Sequence, residues 1–270
     1  MEKQTGRKWN KYLIAGVIMT GTAVLLGLLG FFWTPYSTTA MNGAEKFAAP
    51  SLRHLFGTDN FGRDIFSRVM QGLGTSVVIS SLVVLFSGLI GILLGALTGY
   101  FGGVLDEIVM RITDAVNGFP SILLTLVIIS ILGSGKQNVI ISMTIVFVPS
   151  YVRIVRSEFI RLRDADYIRR ARLMGVGRLR ILFVHILPNI FSVFWVSVMI
   201  GFNNAILAES GMSYLGIGVQ PPDASLGKML SDAQGYLQIA PWYALAPGLT
   251  IVWLVLGFSL FSEGIRRKTR

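Results

Sequence analysis

The sequence of 270 residues contains no cysteine and only two histidines. The absence of cysteine excludes disulfide bonds and thiolate metal or redox sites. Because His54 and His185 lie far apart in the chain, we predict no histidine-rich metal site either. Charged residues make up 14% of the chain, whereas ordinary soluble domains contain about 25%. Together with 53% hydrophobic residues, this scarcity of charge predicts an integral membrane protein.

Apolar runs with little or no charge locate the membrane spans, because about 20 apolar residues cross a bilayer core of about 30 Å. The first run, Tyr12 to Trp33, lacks the small-residue cleavage pattern of a signal peptide, so we predict a retained anchor. Five further runs complete the prediction of an all-α membrane protein with about six transmembrane helices. These runs are Thr75 to Gly99, Ala115 to Gly135, Gln137 to Val152, Ile186 to Ala208, and about Tyr243 to Ser262.

The distribution of lysine and arginine predicts the orientation in the membrane. With the N-terminus inside, 18 of the 24 basic residues fall on cytoplasmic segments and six fall outside, as the positive-inside rule requires. Both termini are therefore predicted to be cytoplasmic. The predicted segments are a cytoplasmic N-terminus 1–11, a first transmembrane helix 12–33, an extracytoplasmic loop 34–73, a core of five transmembrane helices 74–265 with a basic loop 153–188, and a cytoplasmic tail 266–270.

The basic loop 153–188 holds nine of the 24 basic residues, and each arginine near the bilayer centre would cost about 2.5–3.5 kcal/mol. The loop is therefore predicted to lie outside the bilayer. Asp166 is a candidate N-cap for a short helix, and Gly175 is a candidate left-handed residue at its end. Such a segment fits either a helix that lies on anionic lipid or a surface to which another protein binds. Nucleic acid is not an expected partner, because the basic residues that give the net charge of +10 flank apolar spans.

Small and polar residues in the predicted spans are further candidate sites. Four glycines recur every four residues, a pattern that permits close helix packing within the bundle or against a partner. They are Gly91, Gly95, Gly99 and Gly103. Polar groups in the fifth span either bond between helices or line a polar pathway. These pathway candidates are Asn203, Asn204 and Glu209.

The first outer loop carries several charged side chains just before the second span. They are Asp59, Arg63, Asp64 and Arg68. The simpler interpretation is local ion pairing on an exposed surface that caps the span, since such pairs are common and weak. The alternative is a docking surface for an external protein.

The spacing inside the basic loop resembles the EAA loop of bacterial ABC-importer permeases, in which E-A-A, G and I-x-L-P are separated by three and nine residues. The matching positions are Ala171, Gly175, Leu187 and Pro188. The sequence departs from the pattern where the family usually has Glu, Ala and Ile, and those positions hold Arg169, Arg170 and His185. We also expect Pro188 to open the fifth span, where its missing N–H would be harmless.

Longer segments extend the resemblance to the permeases for dipeptides, oligopeptides and nickel, specifically to the second, C-type permease of the pair. The segments are FGTDNFGRDIFSR from Phe56, GYFGGVLDEIVMRITDAVNGFPSILL from Gly99, HILPN from His185, and ESGMSYLGIGVQPPDASLGKML from Glu209. The resemblance implies a type I importer permease fold with a cytoplasmic coupling helix that docks on an ATPase. The implied coupling residues are Asp166, Ala171, Gly175, Leu187 and Pro188.

The same resemblance implies the partners and the place of the chain in a bacterial inner membrane. They are membrane lipid, a homologous second permease, two cytoplasmic ATPase subunits that bind ATP and Mg, and an extracytoplasmic substrate-binding protein. The chain itself would then be no enzyme and hold no cofactor. The substrate stays open among dipeptides, oligopeptides, nickel and a nickel chelate. Two other classes are an ion-coupled secondary transporter and a structural subunit that does not transport.

Overall fold

The computed structural model describes residues 11–269, with the side chains of 268 and 269 left out. The predicted N-terminus 1–11 and tail 266–270 therefore lie partly outside the described residues. Within 11–269 the chain is helical, and its β-structure is an isolated bridge between Thr58 and Asp64. The helices are α1 Lys11–Phe32, α2 Ile65–Phe101, α3 Gly103–Asn117, α4 Ser121–Leu132, α5 Lys136–Arg163, α6 Asp166–Leu173, α7 Arg178–Tyr214, α8 Leu226–Ala233 and α9 Pro241–Thr269.

Five of the described helices are long and apolar enough to cross a membrane, namely α1, α2, α5, α7 and α9. The helices α3 and α4 form a sixth candidate span that is bent by 94°. The bend falls where Pro120 lacks a backbone donor and disfavours helical geometry at the residue before it. The predicted all-α fold with about six spans is confirmed, although the third span is broken rather than straight.

The helix α5 extends further than the sequence pattern indicated. α5 passes through Pro149 and continues to Arg163, so the first part of the predicted loop 153–188 is helix. The extension is amphipathic, and its buried side chains Val152, Val155 and Phe159 follow helical spacing. The polar face of the same turns carries the arginines. The charge-free run therefore ends before the helix does, and the prediction made this helix too short.

Pro188 lies inside α7, so the prediction that it opens the fifth span was wrong. The helix accommodates the proline by a π turn at Ile181–Ile186, in which the N–H of Leu187 bonds to the carbonyl of Leu182, five residues back. Such wider turns are a usual way for a helix to continue where the regular bonding is interrupted.

The described chain divides into two compact units. The terminal unit comprises residues 11–80, 134–136 and 202–269, and the central unit comprises 81–133 and 137–201. In the terminal unit α1 packs along α9 through small residues. A side-chain carbon placed at Gly264 would lie 2.6 Å from the Leu13 Cα, and one at Gly257 would lie 2.9 Å from the Thr20 nitrogen. These backbones therefore touch directly, as small residues in membrane helices allow.

In the central unit α2 packs on α5 through the predicted glycine stripe. A side-chain carbon at Gly95 would lie 2.7 Å from the Val155 Cβ, and one at Gly99 would lie 2.6 Å from the Phe159 Cβ. Gly91 meets Tyr151 in the same way. Gly103 departs from the prediction. It begins α3 with φ +64, and a side chain there would meet nothing within 4 Å.

Candidate functional site

The start of α6 differs by one residue from the prediction. Ala165 is the N-cap, with extended backbone angles of φ −66 and ψ 147 and no side-chain cap bond. Asp166 is already helical, so it lies in the first turn and was wrongly predicted as the cap. A carboxylate in a first turn still favours the helix, because it lies near the positive end of the helix dipole.

The end of α6 is closed by Gly175, as the sequence predicts. Gly175 has φ +80, its N–H donates to the Arg172 carbonyl at 3.0 Å, and the Val176 N–H donates to the Ala171 carbonyl at 3.0 Å. These two bonds form the Schellman motif, which requires a left-handed residue just after the cap. A β-branched residue at this position would be strained.

The exposed tip of α6 presents small and apolar groups. Ile168 is fully buried and anchors the helix, whereas Leu173 and Met174 are 88% and 83% exposed. Nothing lies within 4 Å of a carbon placed on Gly175. Of the other predicted coupling residues, Leu187 is half-buried and Pro188 is exposed, and both lie in α7, not in α6. The structure therefore offers one short helix end as an open contact surface.

The nine arginines of the basic loop fall into two groups. Those on α5 have partners within the central unit: Arg153 bonds Asp114 at 2.6 Å, Arg156 bonds Asp106 at 2.5 Å, Arg161 bonds Glu158 at 2.5 Å, and Arg163 bonds the Gly99 carbonyl at 3.1 Å. The other five form no ion pair among the described residues, and all are exposed. They are Arg169, Arg170, Arg172, Arg178 and Arg180. The unpaired positive charge is thus concentrated on α6 and the start of α7.

The pathway candidates lie in the terminal unit in two different settings. Asn203 donates from its amide nitrogen to the Ser259 hydroxyl at 2.9 Å, which joins α7 to α9. Asn204, the next residue, is exposed. Glu209 is completely buried and lines no open passage in this structure.

Three serine hydroxyls surround the Glu209 carboxyl group. Ser76 of α2 donates to it at 2.6 Å, Ser213 of α7 at 2.8 Å, and Ser225, just before α8, at 3.1 Å. We call these four residues the Glu209 cage. Each hydroxyl satisfies part of the acceptor capacity of the carboxyl group, which would otherwise be costly to bury. Ser213 lies one helical turn after Glu209, whereas Ser76 and Ser225 are 133 and 16 residues away, so no local motif could have indicated those two.

The first outer loop is more buried than the sequence suggested. The predicted local pairing is present, with Arg63 bonded to Asp59 at 2.6 Å, but Asp59 and Asp64 are only 0% and 3% exposed. Asp64 caps α2 by accepting bonds from the Ser67 N–H and hydroxyl at 2.7 Å. His54 lies 2.9 Å from Asp64 and was not foreseen as part of this group.

The described residues thus form several candidate membrane spans with a short, charged, exposed helix between two of them. Residues 91–270 match the family model described as binding-protein-dependent transport system inner membrane component. The chain belongs to this family, and the predicted resemblance to ABC-importer permeases is confirmed. It is accordingly a multi-pass protein of the inner membrane.

Full-length relatives agree with the family match. The chain is 40% identical to the dipeptide transport system permease protein DppC of Alkalihalophilus pseudofirmus, over 96% of this chain and 85% of the relative. It is 37% identical to DppC of Haemophilus influenzae, over 96% and 90%. It is also 37% identical to the glutathione transport system permease protein GsiD of Pectobacterium atrosepticum, over 96% and 88%.

A solved structure supports the fold. A chain from the MetNI methionine ABC transporter in inward-facing conformations superimposes with a TM-score of 0.62 at 18% identity. The match covers 75% of this chain and 96% of that chain. The type I permease fold is therefore confirmed.

Proposed function

We propose that this chain is the permease subunit that forms half of the translocation pathway of an ATP-driven importer for dipeptides or oligopeptides. The observation that carries the proposal is the exposed tip of α6, which ends at Gly175 and is surrounded by unpaired arginines. A surface of this kind, between two spans, suits docking of another protein. The relatives described above are named for dipeptides or glutathione, which favours peptides over nickel or a nickel chelate.

The proposed partners follow from the family. A homologous second permease completes the pathway, two ATPase subunits dock on the coupling helices, and an extracytoplasmic binding protein delivers the substrate. ATP and Mg bind to the ATPase subunits, so this chain catalyses no reaction. The tip of α6 contacts the ATPase, with Ala171 and Gly175 allowing close approach.

Reconstitution tests this proposal directly. We expect proteoliposomes that contain both permeases, the ATPases and the binding protein to take up a labelled dipeptide only when ATP is supplied on the ATPase side. A non-hydrolysable analogue should give no sustained uptake. Peptide uptake by the permeases without ATPases, driven by an ion gradient, would instead identify a secondary transporter and contradict the proposal.

The proposed orientation, with both termini in the cytoplasm, predicts which surface positions a reagent can reach. Asn42 and Asp164 lie on different loops, Gln137 lies in the first turn of α5, and all three are exposed. In this cysteine-free chain, single cysteines at 42 and 137 should react in intact cells with a membrane-impermeant thiol reagent, whereas a cysteine at 164 should react only after lysis. Labelling of position 164 from outside would reverse the topology.

A further inference from the structure

The helix α3 is a separate rigid segment between two points where the backbone changes direction. At its start, Gly102 and Gly103 have φ values of +66 and +64, which glycine adopts without the strain that other residues incur. At its end, the chain turns by 94° into α4. Rotation at these two points would move α3 and the first turns of α4 without deforming either helix.

Ion pairs attach α3 to α5. Arg156 holds Asp106 through two parallel bonds, from Nε to Oδ1 at 2.5 Å and from Nη2 to Oδ2 at 2.6 Å. The two side chains are only 28% and 19% exposed. A second arginine on α5, Arg153, bonds Asp114 of α3 at 2.6 Å. A two-point bond between a guanidinium and a carboxylate fixes orientation as well as distance.

Part of the apolar surface of α3 is not covered by other described helices. Several of its apolar side chains face outward, with Val104, Ile108 and Ile112 between 53% and 74% exposed. By contrast, α5 interdigitates with the glycine stripe of α2 and is firmly placed. A half-buried ion pair adds little stability compared with an apolar contact. Its effect here is to fix the orientation of α3 and its distance from α5.

The same α5 continues into the coupling helix. Its last residue, Arg163, is separated from α6 by Asp164 and Ala165 alone. The arginines that hold α3 therefore lie on the helix that α6 would displace. A two-residue link joins α6 to α5, side-chain bonds join α5 to α3, and the bend joins α3 to α4.

We infer that Asp106 and Arg156, supported by Asp114 and Arg153, are positioning residues that make α3 follow the movement of α5 and α6. The inference rests on the proposed function, because it assumes that an ATPase displaces α6. These side chains touch neither substrate nor nucleotide. Their role is to convert a displacement at the coupling helix into a displacement of the bent span.

Charge reversal separates this role from a general loss of folding. In reconstituted importer, Asp106→Arg and Arg156→Asp should each lower uptake about tenfold, a size typical of broken coupling contacts. ATPase subunits should stay bound, so more ATP is hydrolysed per peptide. The double exchange Asp106→Arg/Arg156→Asp should restore most of the uptake. Wild-type uptake by Asp106→Arg, or an assembled double variant without recovery, would overturn the inference.

The neighbouring pair on α3 provides a matched control. Glu107 bonds Arg111 at 2.7 Å, and both side chains are more than half exposed. Because such an exposed pair contributes little, Glu107→Arg should leave uptake within about twofold of wild type. It makes the same charge change one residue away from Asp106.

Cross-linking tests whether the two helices move together. Cysteines at 106 and 156 can be joined by a short bis-methanethiosulfonate that a reductant removes. Because the two cysteines remove the ion pair, the reduced importer should take up little peptide, and if α3 travels with α5 the cross-link should raise its uptake. Uptake that falls on cross-linking, or that does not rise, would refute the inference. Uptake that does not require ATPases would refute the proposed function instead, so the two failures are distinguishable.

Discussion

Replacing Gly175 by valine is expected to abolish peptide uptake while the permease still inserts into the membrane. Gly175 has φ +80, and an L-residue in this region costs about 1–2 kcal/mol, more for a β-branched side chain. The Schellman bonds that end α6 would be lost or distorted, and the exposed tip would change shape. Uptake should be measured together with the amount of ATPase that co-purifies with the permease.

Gly177 provides the control for this substitution. It belongs to the same loop, and a side chain there would meet nothing within 4 Å. Its backbone angles of φ −64 and ψ 147 suit valine. Gly177→Val should therefore retain near-normal uptake. Wild-type uptake by Gly175→Val, with a normal complement of ATPase, would show that α6 is not the coupling element.

The unpaired arginines provide a second test of the proposal that α6 binds the ATPase. Arg169→Glu combined with Arg170→Glu should release the ATPase at lower salt than wild type requires, because exposed charges act through screened attraction. Arg161→Glu, which changes a paired arginine on α5, should have a smaller effect. If the double variant binds ATPase normally but binds less anionic lipid, these arginines contact the membrane rather than the ATPase.

Removal of the Glu209 carboxyl group is expected to have the largest effect on stability. Glu209→Leu leaves the hydroxyls of Ser76, Ser213 and Ser225 buried without their acceptor, and each unsatisfied polar group costs about 1–3 kcal/mol. The terminal unit should therefore melt at a lower temperature, and less complex should be recovered. Glu209→Gln keeps the shape and one acceptor oxygen, so its loss should be smaller.

The same pair of variants tests the two roles proposed for the polar residues of the fifth span. Thermal unfolding of the purified permease and uptake by the reconstituted importer should decline together if Glu209 holds helices in place. Unchanged unfolding with lost uptake would instead indicate a role in the pathway. Glu107→Leu, at an exposed position of α3, should change neither measurement.

The sequence predicted the features that depend on composition and local spacing. Scarcity of charge in long apolar runs indicated the spans, and the position of Gly175 indicated the end of α6. The sequence underestimated α5, because its arginines lie on one face while Val155 and Phe159 are buried on the other. It misplaced Pro188, because a π turn can absorb a proline inside a helix.

The candidate site was predictable only where its residues are neighbours in the chain. The Glu209 cage joins residues from α2, α7 and the segment before α8. Ser213 follows Glu209 by one helical turn, but nothing in the local pattern indicates Ser76 or Ser225. The pairs between α3 and α5 were hidden for the same reason. Whether an arginine of the basic loop is neutralised depends on which helix packs against it, and that is a tertiary property.

The contact between α1 and α9 has a consequence for biosynthesis. α1 leaves the ribosome well before α9, against which Gly257 and Gly264 allow it to pack. Because chains emerge at about 5–20 residues per second, α1 must wait for about ten seconds or more before this partner is made, although α2, which it meets at Gly27 and Gly30, emerges sooner. Until then the small residues of α1 that will face α9 can lie against lipid, because they carry no charge. A chain interrupted late in translation would keep its central helices but leave α1 without this neighbour, a defect that a membrane protease could recognise.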